Sequence, residues 1–147
     1  MYRFLYFADN KTYKVYKNYH MKQIIKTEKA PKPIGPYSQA VKAGDFLFIS
    51  GQVAIDPETN EVINGNIKDE THRVMKNIQA ILNEAYLTFQ HAVKTTIFLS
   101  DMNLFAEVNE VYGSYFNGDF PARETVAVTG LPKGVNVEIS ITACLTL

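Results

Sequence analysis

Cysteine is almost absent from this chain, and histidine is scarce. Cys144 is the only cysteine among 147 residues, so no disulfide can form within the chain. A chain without disulfides is typical of a reducing compartment, which predicts a cytoplasmic protein. The three histidines, His20, His72 and His91, lack the spacing of metal ligands, and we therefore expect no metal site.

The sequence also lacks an excess of charge and long apolar runs. Its 15 basic and 15 acidic residues cancel, and 21–147 contains no dense block of lysine and arginine. This balance argues against nucleic acid as a general partner. No apolar run reaches the length that spans a membrane, so we expect no membrane partner. The length predicts one globular domain whose hydrophobic core is large enough to be stable without disulfides.

Residues 1–20 differ in composition from the rest of the chain. They contain five tyrosines, two phenylalanines, one arginine and three lysines, without the apolar stretch and small-residue cleavage site of a secretory signal. We interpret 1–20 as an N-terminal extension outside the fold, left by an upstream start site or by cloning. A short interaction tail is the alternative. The folded domain is predicted to comprise 21–147.

Hydrophobic periodicity predicts a mixed α+β order of strand, strand, strand, helix, strand, helix, strand, strand. Gly44-Asp45 is expected to join the second and third strands as a hairpin. The predicted helices are 70–86 and 102–116, and the predicted strands are 22–26, 38–43, 46–53, 92–99, 123–128 and 135–143. Two helices would cover one face of a mixed sheet and leave the other bare, which indicates an oligomer.

Two short stretches near the C-terminus carry the most chemical information. Arg123 follows Phe120-Pro121-Ala122, and an arginine binds a carboxylate through two parallel hydrogen bonds. Glu138 interrupts an apolar strand, where a glutamate can handle a proton or a water. Because side chains alternate along a strand, Arg123 and Glu138 are both predicted to point away from the core. They predict a small site for a carboxylate-bearing molecule that reacts with water.

The two C-terminal strands are predicted to form a hairpin around Leu131–Gly134. A symmetric hairpin would pair Glu138 with position 127, about four residues or roughly 13 Å along the strand from Arg123. Either a bulge shifts the register, or a second copy of the chain completes the site. We prefer the second copy.

Six short motifs, in order and in register, are shared with a known family. They are Gly35-Pro36-Tyr37-Ser38-Gln39-Ala40, Ser50-Gly51-Gln52, Val93-Lys94-Thr95-Thr96, Val108-Asn109-Glu110-Val111-Tyr112, Pro121-Ala122-Arg123 and Leu131-Pro132 with Val137-Glu138-Ile139. With these motifs the chain resembles the RidA/YjgF family over nearly all of 21–147. The resemblance implies a chorismate-mutase-like α+β fold and a homotrimer with its sites at subunit interfaces.

The resemblance also implies an activity. Such proteins are enamine/imine deaminases of the 2-iminobutanoate/2-iminopropanoate type, which hydrolyse 2-aminoacrylate and related enamines to 2-oxo acids and ammonia without a metal or organic cofactor. One alternative is a small-metabolite-binding family member with a regulatory or chaperone-like role. A second is an endoribonuclease, against which the neutral charge and the lack of a catalytic histidine pair argue.

Residue by residue, the resemblance implies a set of roles. Arg123 matches the carboxylate-binding arginine, and Glu138 matches the glutamate that positions the attacking water. Tyr37, Ser50 and Asn109 match substrate-site residues of the motifs Gly-Pro-Tyr, Ser-Gly-Gln and Val-Asn. Without the motifs, Arg123 is as well explained by a surface ion pair, and Glu138 by exposure to solvent.

The chain departs from the family pattern at two places. Position 125, where many members have cysteine, is Thr125, whose backbone carbonyl is implied to meet the substrate nitrogen. Ala85-Tyr86 replaces the usual Ala-Gly at the end of the first helix. Glycine there supplies a left-handed cap, so we expect Tyr86 to be strained.

Overall fold

A computed structural model describes residues 4–6, 12–14 and 22–146. Short strands β1 (Phe4–Tyr6) and β2 (Thr12–Lys14) pair only with each other, as a separate two-stranded sheet. The rest of 1–21 and the side chains of that segment lie outside the described residues. The extension therefore stays a prediction.

The main body is a six-stranded sheet in the order β3-β4-β5-β8-β6-β7. Its elements are β3 (Gln23–Ile25), β4 (Ala40–Ala43), β5 (Phe46–Gln52), α1 (Ile67–Glu84), β6 (Ala92–Leu99), α2 (Phe105–Gly113), β7 (Ala122–Ala127) and β8 (Val137–Cys144). The predicted order of strands and helices is confirmed, as is the β4–β5 hairpin at Gly44, whose φ is 58°.

The caps explain where the helices begin. The Asn66 side chain accepts a hydrogen bond from the Asp69 N–H at 2.9 Å, and α1 therefore starts three residues before the predicted boundary. Asp101 caps a single 3₁₀ turn that leads into α2. Both helices pack on one face of the sheet, and the core lies between them and the inward residues of β5, β6 and β8. The predicted α+β layer architecture is confirmed.

The predicted C-terminal hairpin is wrong. β7 pairs in parallel with β6, while β8 pairs antiparallel with both β5 and β6. Strand β6 therefore lies between the two strands that were expected to be neighbours. Alternation along a strand identifies which residues share a face, but it does not identify the strand that pairs with it.

The predicted direction of Arg123 is also wrong. In the register, Arg123 lies beside Thr95, which is fully buried under α2. Val126, on the opposite face of β7, lies beside Phe98 and is 43% exposed. On this edge strand the apolar side chain faces the side of the sheet without helices. The pattern of polar and apolar residues therefore predicted the wrong face for Arg123. The prediction for Glu138 is confirmed, because Val137 and Ile139 on either side are buried.

The face without helices is bare within the described chain. It carries exposed Phe46 and Phe48, and Lys94 and Thr96 both bond to the carboxylate of Glu124. The sequence prediction of an uncovered sheet face is confirmed. In the part of the chain that the structure describes, no helix combines the length and apolarity needed to cross a membrane.

Helix α1 ends in a Schellman motif. The N–H of Leu87 donates to the Leu82 carbonyl and the N–H of Tyr86 donates to the Asn83 carbonyl. Tyr86 takes the left-handed conformation that this motif requires, with φ 61°, and its side chain is 96% exposed. A left-handed cap therefore forms at this position although the residue is tyrosine, and the expected strain stays a prediction.

Candidate active site

Helix α2 holds the guanidinium of Arg123. Its Nη1 donates to Asn109 Oδ1 at 2.8 Å, and its Cζ lies 5.0 Å from the ring centroid of Tyr112 and 5.7 Å from that of Phe105. At these distances both rings contribute cation–π attraction to the guanidinium. A pocket of about 380 Å³ opens beside it, lined by Asn109, Tyr112, Gly113, Phe120, Pro121 and Arg123. We name this the arginine pocket.

The arginine pocket presents a positive charge without a bound counter-charge. No carboxylate among residues 22–146 lies within ion-pair distance of Arg123. The Tyr112 hydroxyl donates to Thr95 Oγ1 at 3.1 Å, and burial raises the pKa of Tyr112, so this ring stays neutral. The remaining guanidinium N–H groups suit a planar carboxylate.

Thr125 lies two residues beyond Arg123, on the same side of β7. Its register partner is Ile97, which is buried under the helices. Its Oγ1 is buried and finds no hydrogen-bond partner among the described residues. The side chain does not line the arginine pocket.

Glu138 lies in a second pocket, on the bare side of the sheet. This pocket of about 260 Å³ is lined by Tyr37, Ser50, Gly51, Pro132 and Glu138, together with Pro31, Lys32, Ile34, Gln39, Gln52, Val53 and Ile55. We name it the glutamate pocket. The register of β5 against β8 shifts between Ile49 and Gln52, which places the bulged residues Ser50 and Gly51 beside Glu138.

The environment of Glu138 suits proton transfer. Burial raises the pKa of its carboxyl group. Among residues 22–146 it has neither a hydrogen-bond donor nor a cationic partner within ion-pair distance. The half-buried carboxylate is therefore available to a water molecule or a ligand.

Tyr37 and Ser50 join the glutamate pocket through a loop that a buried glutamine organises. Gln39 donates to the carbonyls of Thr27, Ala30 and Pro31 and accepts from the Thr27 N–H. Within the loop, the Tyr37 hydroxyl accepts from the Ile34 N–H at 3.3 Å. Ser50 Oγ donates to the Ser38 carbonyl at 2.7 Å, so the Ser50 hydroxyl hydrogen bond holds the loop in place.

The six predicted residues therefore divide between two opposite faces of the sheet. Arg123, Asn109 and Thr125 are on the helix side, whereas Glu138, Tyr37 and Ser50 belong to the glutamate pocket. Val126 and Glu138 both lie beside Phe98 in the register, so Arg123 is two strand spacings across the sheet and three residues along it from Glu138. The Cα atoms of Arg123 and Glu138 are therefore about 14 Å apart, and their side chains point to opposite faces. One chain does not bring Arg123 and Glu138 together.

Sequence reasoning missed three residues that support Arg123 or Glu138. Phe105 and Tyr112 were given no role in the predicted site, although their rings lie against the Arg123 guanidinium. Their signal was the placement of two rings one helical turn either side of Asn109. Gly51 was quoted only as part of a motif, but its missing side chain makes room for Glu138.

The two described histidines lie outside both pockets. His72 Nδ1 is 3.0 Å from the Tyr115 hydroxyl, and His91 Nδ1 accepts from the Thr88 N–H at 3.2 Å. Within the described ranges, no three His, Cys, Asp or Glu side chains gather as a metal-binding group.

Known proteins share both the sequence and the fold. A sequence model of the family described as endoribonuclease L-PSP matches residues 27–145. A RutC family protein of Pyrococcus horikoshii is 55% identical over 84% of this chain and 98% of its own. The 2-iminobutanoate/2-iminopropanoate deaminase of Mus musculus is 45% identical over 84% of this chain and 91% of its own. A crystal structure of RidA from Psychrobacter sp. superimposes with a TM-score of 0.80, at 43% identity, over 83% of this chain and 98% of that one. With these matches and the six-stranded sheet under two helices, the chain belongs to the RidA/YjgF family.

Proposed function

We propose that this protein hydrolyses enamine and imine intermediates, such as 2-aminoacrylate, to 2-oxo acids and ammonia. The observation that carries the proposal is the pair of complementary half-sites: a supported guanidinium without a carboxylate partner, and a glutamate whose pKa burial raises. The first suits a carboxylate-bearing substrate, and the second suits a water that attacks it. The name of the mouse relative supports the same reaction.

We further propose that the active unit is a homotrimer whose sites form between subunits. Arg123 and Glu138 diverge within one chain, so a site that uses both needs a second copy. The bare sheet face offers the surface for it, because Phe46, Phe48 and Val126 remain more than 40% exposed. A closed ring of three copies pairs the arginine pocket of one subunit with the glutamate pocket of the next.

The proposed reaction follows from these positions. The enamine isomerises to its imine, and Arg123 binds the carboxylate and orients the imine carbon. Glu138 aligns a water and accepts one of its protons as the oxygen bonds to that carbon, and it then passes this proton to the imine nitrogen. The resulting carbinolamine loses ammonia, with the second water proton transferred to the nitrogen, and leaves the 2-oxo acid. Atoms balance with one water consumed.

The other four residues support this chemistry in the proposal. Asn109 fixes the Arg123 side chain, and Tyr37 and Ser50 shape the wall opposite the attacking water. The backbone carbonyl of Thr125 accepts a hydrogen bond from the substrate nitrogen. No cofactor has a role in this scheme. The single cysteine favours a reducing compartment, so we assign the reaction to the cytoplasm.

Mixed oligomers test the proposal directly. Arg123→Ala and Glu138→Gln are each expected to lose most imine hydrolysis. When the two variants are unfolded and refolded together at equal amounts, random mixing in trimers regenerates about a quarter of the sites with both native residues. Light scattering should report three times 16.6 kDa. If the mixture stays as inactive as its components while the parent refolds to full activity, the interface site is wrong.

An assay with labelled RNA distinguishes the deaminase from the endoribonuclease alternative. The family is described by the name of an endoribonuclease, but neither His72 nor His91 lines the arginine pocket or the glutamate pocket. Parent protein that accelerates 2-aminoacrylate decay and leaves labelled RNA intact supports the deaminase. Cleavage of RNA that Arg123→Ala and Glu138→Gln both abolish would replace it. A parent that binds 2-oxo acids without hydrolysing imines would support a regulatory binding protein.

A further inference from the structure

Gly113 occupies a helical position where the fold does not require glycine. It is the last residue of α2, and the positive φ angles of the described glycines belong to Gly44, Gly118 and Gly134. Among the described residues of the chain, a β-carbon built on Gly113 would have no neighbouring atom within 4 Å. Within this part of the chain, neither backbone conformation nor close packing therefore explains the residue. Glycine nevertheless loses more backbone freedom on folding than any other residue.

The arginine pocket offers an explanation. Gly113 is four residues after Asn109, so both project from the same face of α2. Both line the pocket beside the guanidinium of Arg123. A side chain at position 113 would extend into open space on this face, next to the ligand that Arg123 is proposed to hold.

The remaining walls of the arginine pocket are apolar. They come from Tyr112, Phe120 and Pro121, and the ring of Phe120 is 61% exposed although it packs 5.8 Å from that of Phe116. A pocket of about 380 Å³ lies in the range of sites that enclose small organic molecules. A carboxylate on Arg123 would thus have apolar surface and free volume at its side.

We infer that Gly113 is a specificity-determining residue that keeps the arginine pocket wide enough for 2-imino acids with branched or aromatic side chains. The inference rests on the proposed function and adds the substrate class. The carboxylate binds Arg123, and the apolar side chain lies over Gly113 against Phe120 and Pro121. A side chain on residue 113 would fill this volume and restrict the site to short substrates.

Substitution of Gly113 tests the inference. Imines are generated in the assay from alanine, leucine and phenylalanine with an amino-acid oxidase, and kcat/KM is measured for each. Gly113→Leu is expected to lower the ratio of leucine-derived to alanine-derived imine hydrolysis at least tenfold, and Gly113→Ala about threefold. Gly65 is the matched control, since it too has a non-positive φ and open space at its β-carbon but lies outside both pockets. Gly65→Leu should leave the ratio unchanged.

Binding distinguishes a failure of this inference from a failure of the proposed function. Calorimetry with pyruvate, 4-methyl-2-oxopentanoate and phenylpyruvate needs no catalysis, and Gly113→Leu should weaken binding of the two larger 2-oxo acids selectively. If the parent hydrolyses no imine but Gly113→Leu still weakens binding of the two larger 2-oxo acids selectively, only the proposed deaminase activity is contradicted. Equal losses for all three acids, no loss at all, or a change in oligomeric mass on Gly113→Leu would overturn the role of Gly113. Gly113→Ala should melt at or above the parent temperature, which excludes misfolding.

Discussion

The carboxylate of Glu138 occupies the space where a side chain on Gly51 would stand. A β-carbon built on Gly51 would lie 1.8 Å from Glu138 Oε1 and 2.7 Å from the carboxyl carbon. Gly51 belongs to the bulge of β5, which brings the backbone close to β8 at this point. Gly51 is required because of this close approach, since its φ is not among the positive values. The contact defines one wall of the glutamate pocket.

Gly51→Ala should therefore displace the Glu138 side chain. The methyl group cannot coexist with the observed Glu138 rotamer, so we expect turnover of imines to fall at least tenfold. The unfolding free energy should change little, because the added carbon meets only the flexible Glu138 side chain and no backbone. Steady-state kinetics and urea denaturation measure the two effects. Gly65→Ala, whose added carbon meets open space, is the control. Parental turnover in Gly51→Ala would contradict a fixed position for Glu138.

Arg123 and Glu138 should fail in different ways. Arg123→Ala removes the carboxylate partner, so 2-oxo acid binding should weaken by about 2 kcal/mol, and Arg123→Lys should restore little because lysine lacks the paired contact. Glu138→Gln keeps the shape but removes the proton acceptor, so turnover should fall about 100-fold while 2-oxo acid binding stays nearly parental. Calorimetry and coupled imine decay measure these quantities. The assignment is wrong if Arg123→Ala binds the 2-oxo acid as tightly as the parent.

Activity should decline in acid at a higher pH than an ordinary glutamate would produce. Burial raises the pKa of Glu138, and the proposed base must be ionised to accept a proton from water. The acidic limb of the kcat profile should therefore lie above the reference value of 4.5 and should vanish from the residual activity of Glu138→Gln. A limb that persists unchanged in that variant would belong to another group.

The same raised pKa has a consequence for stability. Folded protein keeps a proton on Glu138 at pH values where the unfolded chain has lost it. The unfolding free energy therefore falls as pH rises from the pKa of Glu138 in the unfolded chain to its higher pKa in the folded protein. Glu138→Gln should gain stability relative to the parent at pH 7 and not below pH 4. Glu124 is a control of opposite sign, since hydrogen bonds from Lys94 and Thr96 lower its pKa. Glu124→Gln should lose stability at pH 7 and not in strong acid.

Tyr86→Gly should stabilise the protein. The left-handed conformation costs a tyrosine about 1–2 kcal/mol, and glycine adds a smaller entropic cost in the unfolded chain. A net gain of about 1 kcal/mol, or about 3 °C in melting temperature, is expected because the exposed ring contributes little packing. Tyr86→Ala keeps the unfavourable φ and is the control. Calorimetric melting that gives both variants the same temperature would show that backbone strain is not the cause.

The amino-acid sequence determined the elements of this protein and much of its chemistry. Period-two alternation located β8 with Glu138 opposite the core, and helical spacing located α1 and α2, because these patterns arise from local backbone geometry. The Gly-Asp turn located the β4–β5 hairpin, and the change of Ala-Gly to Ala85-Tyr86 predicted a strained cap. Motifs in register identified the family. Each of these inferences depends on residues that are close along the chain.

Only the tertiary structure decided how the distant parts meet. It inserted β6 between β7 and β8 and turned Arg123 under α2, where Asn109 and two aromatic rings hold it. It also placed Glu138 on the other face of the sheet, above Gly51. Strand order and the face of an edge strand depend on non-local pairing, and neither is encoded in the alternation of one strand. For that reason the sequence could name Arg123 and Glu138 but could not reveal that one chain holds them apart.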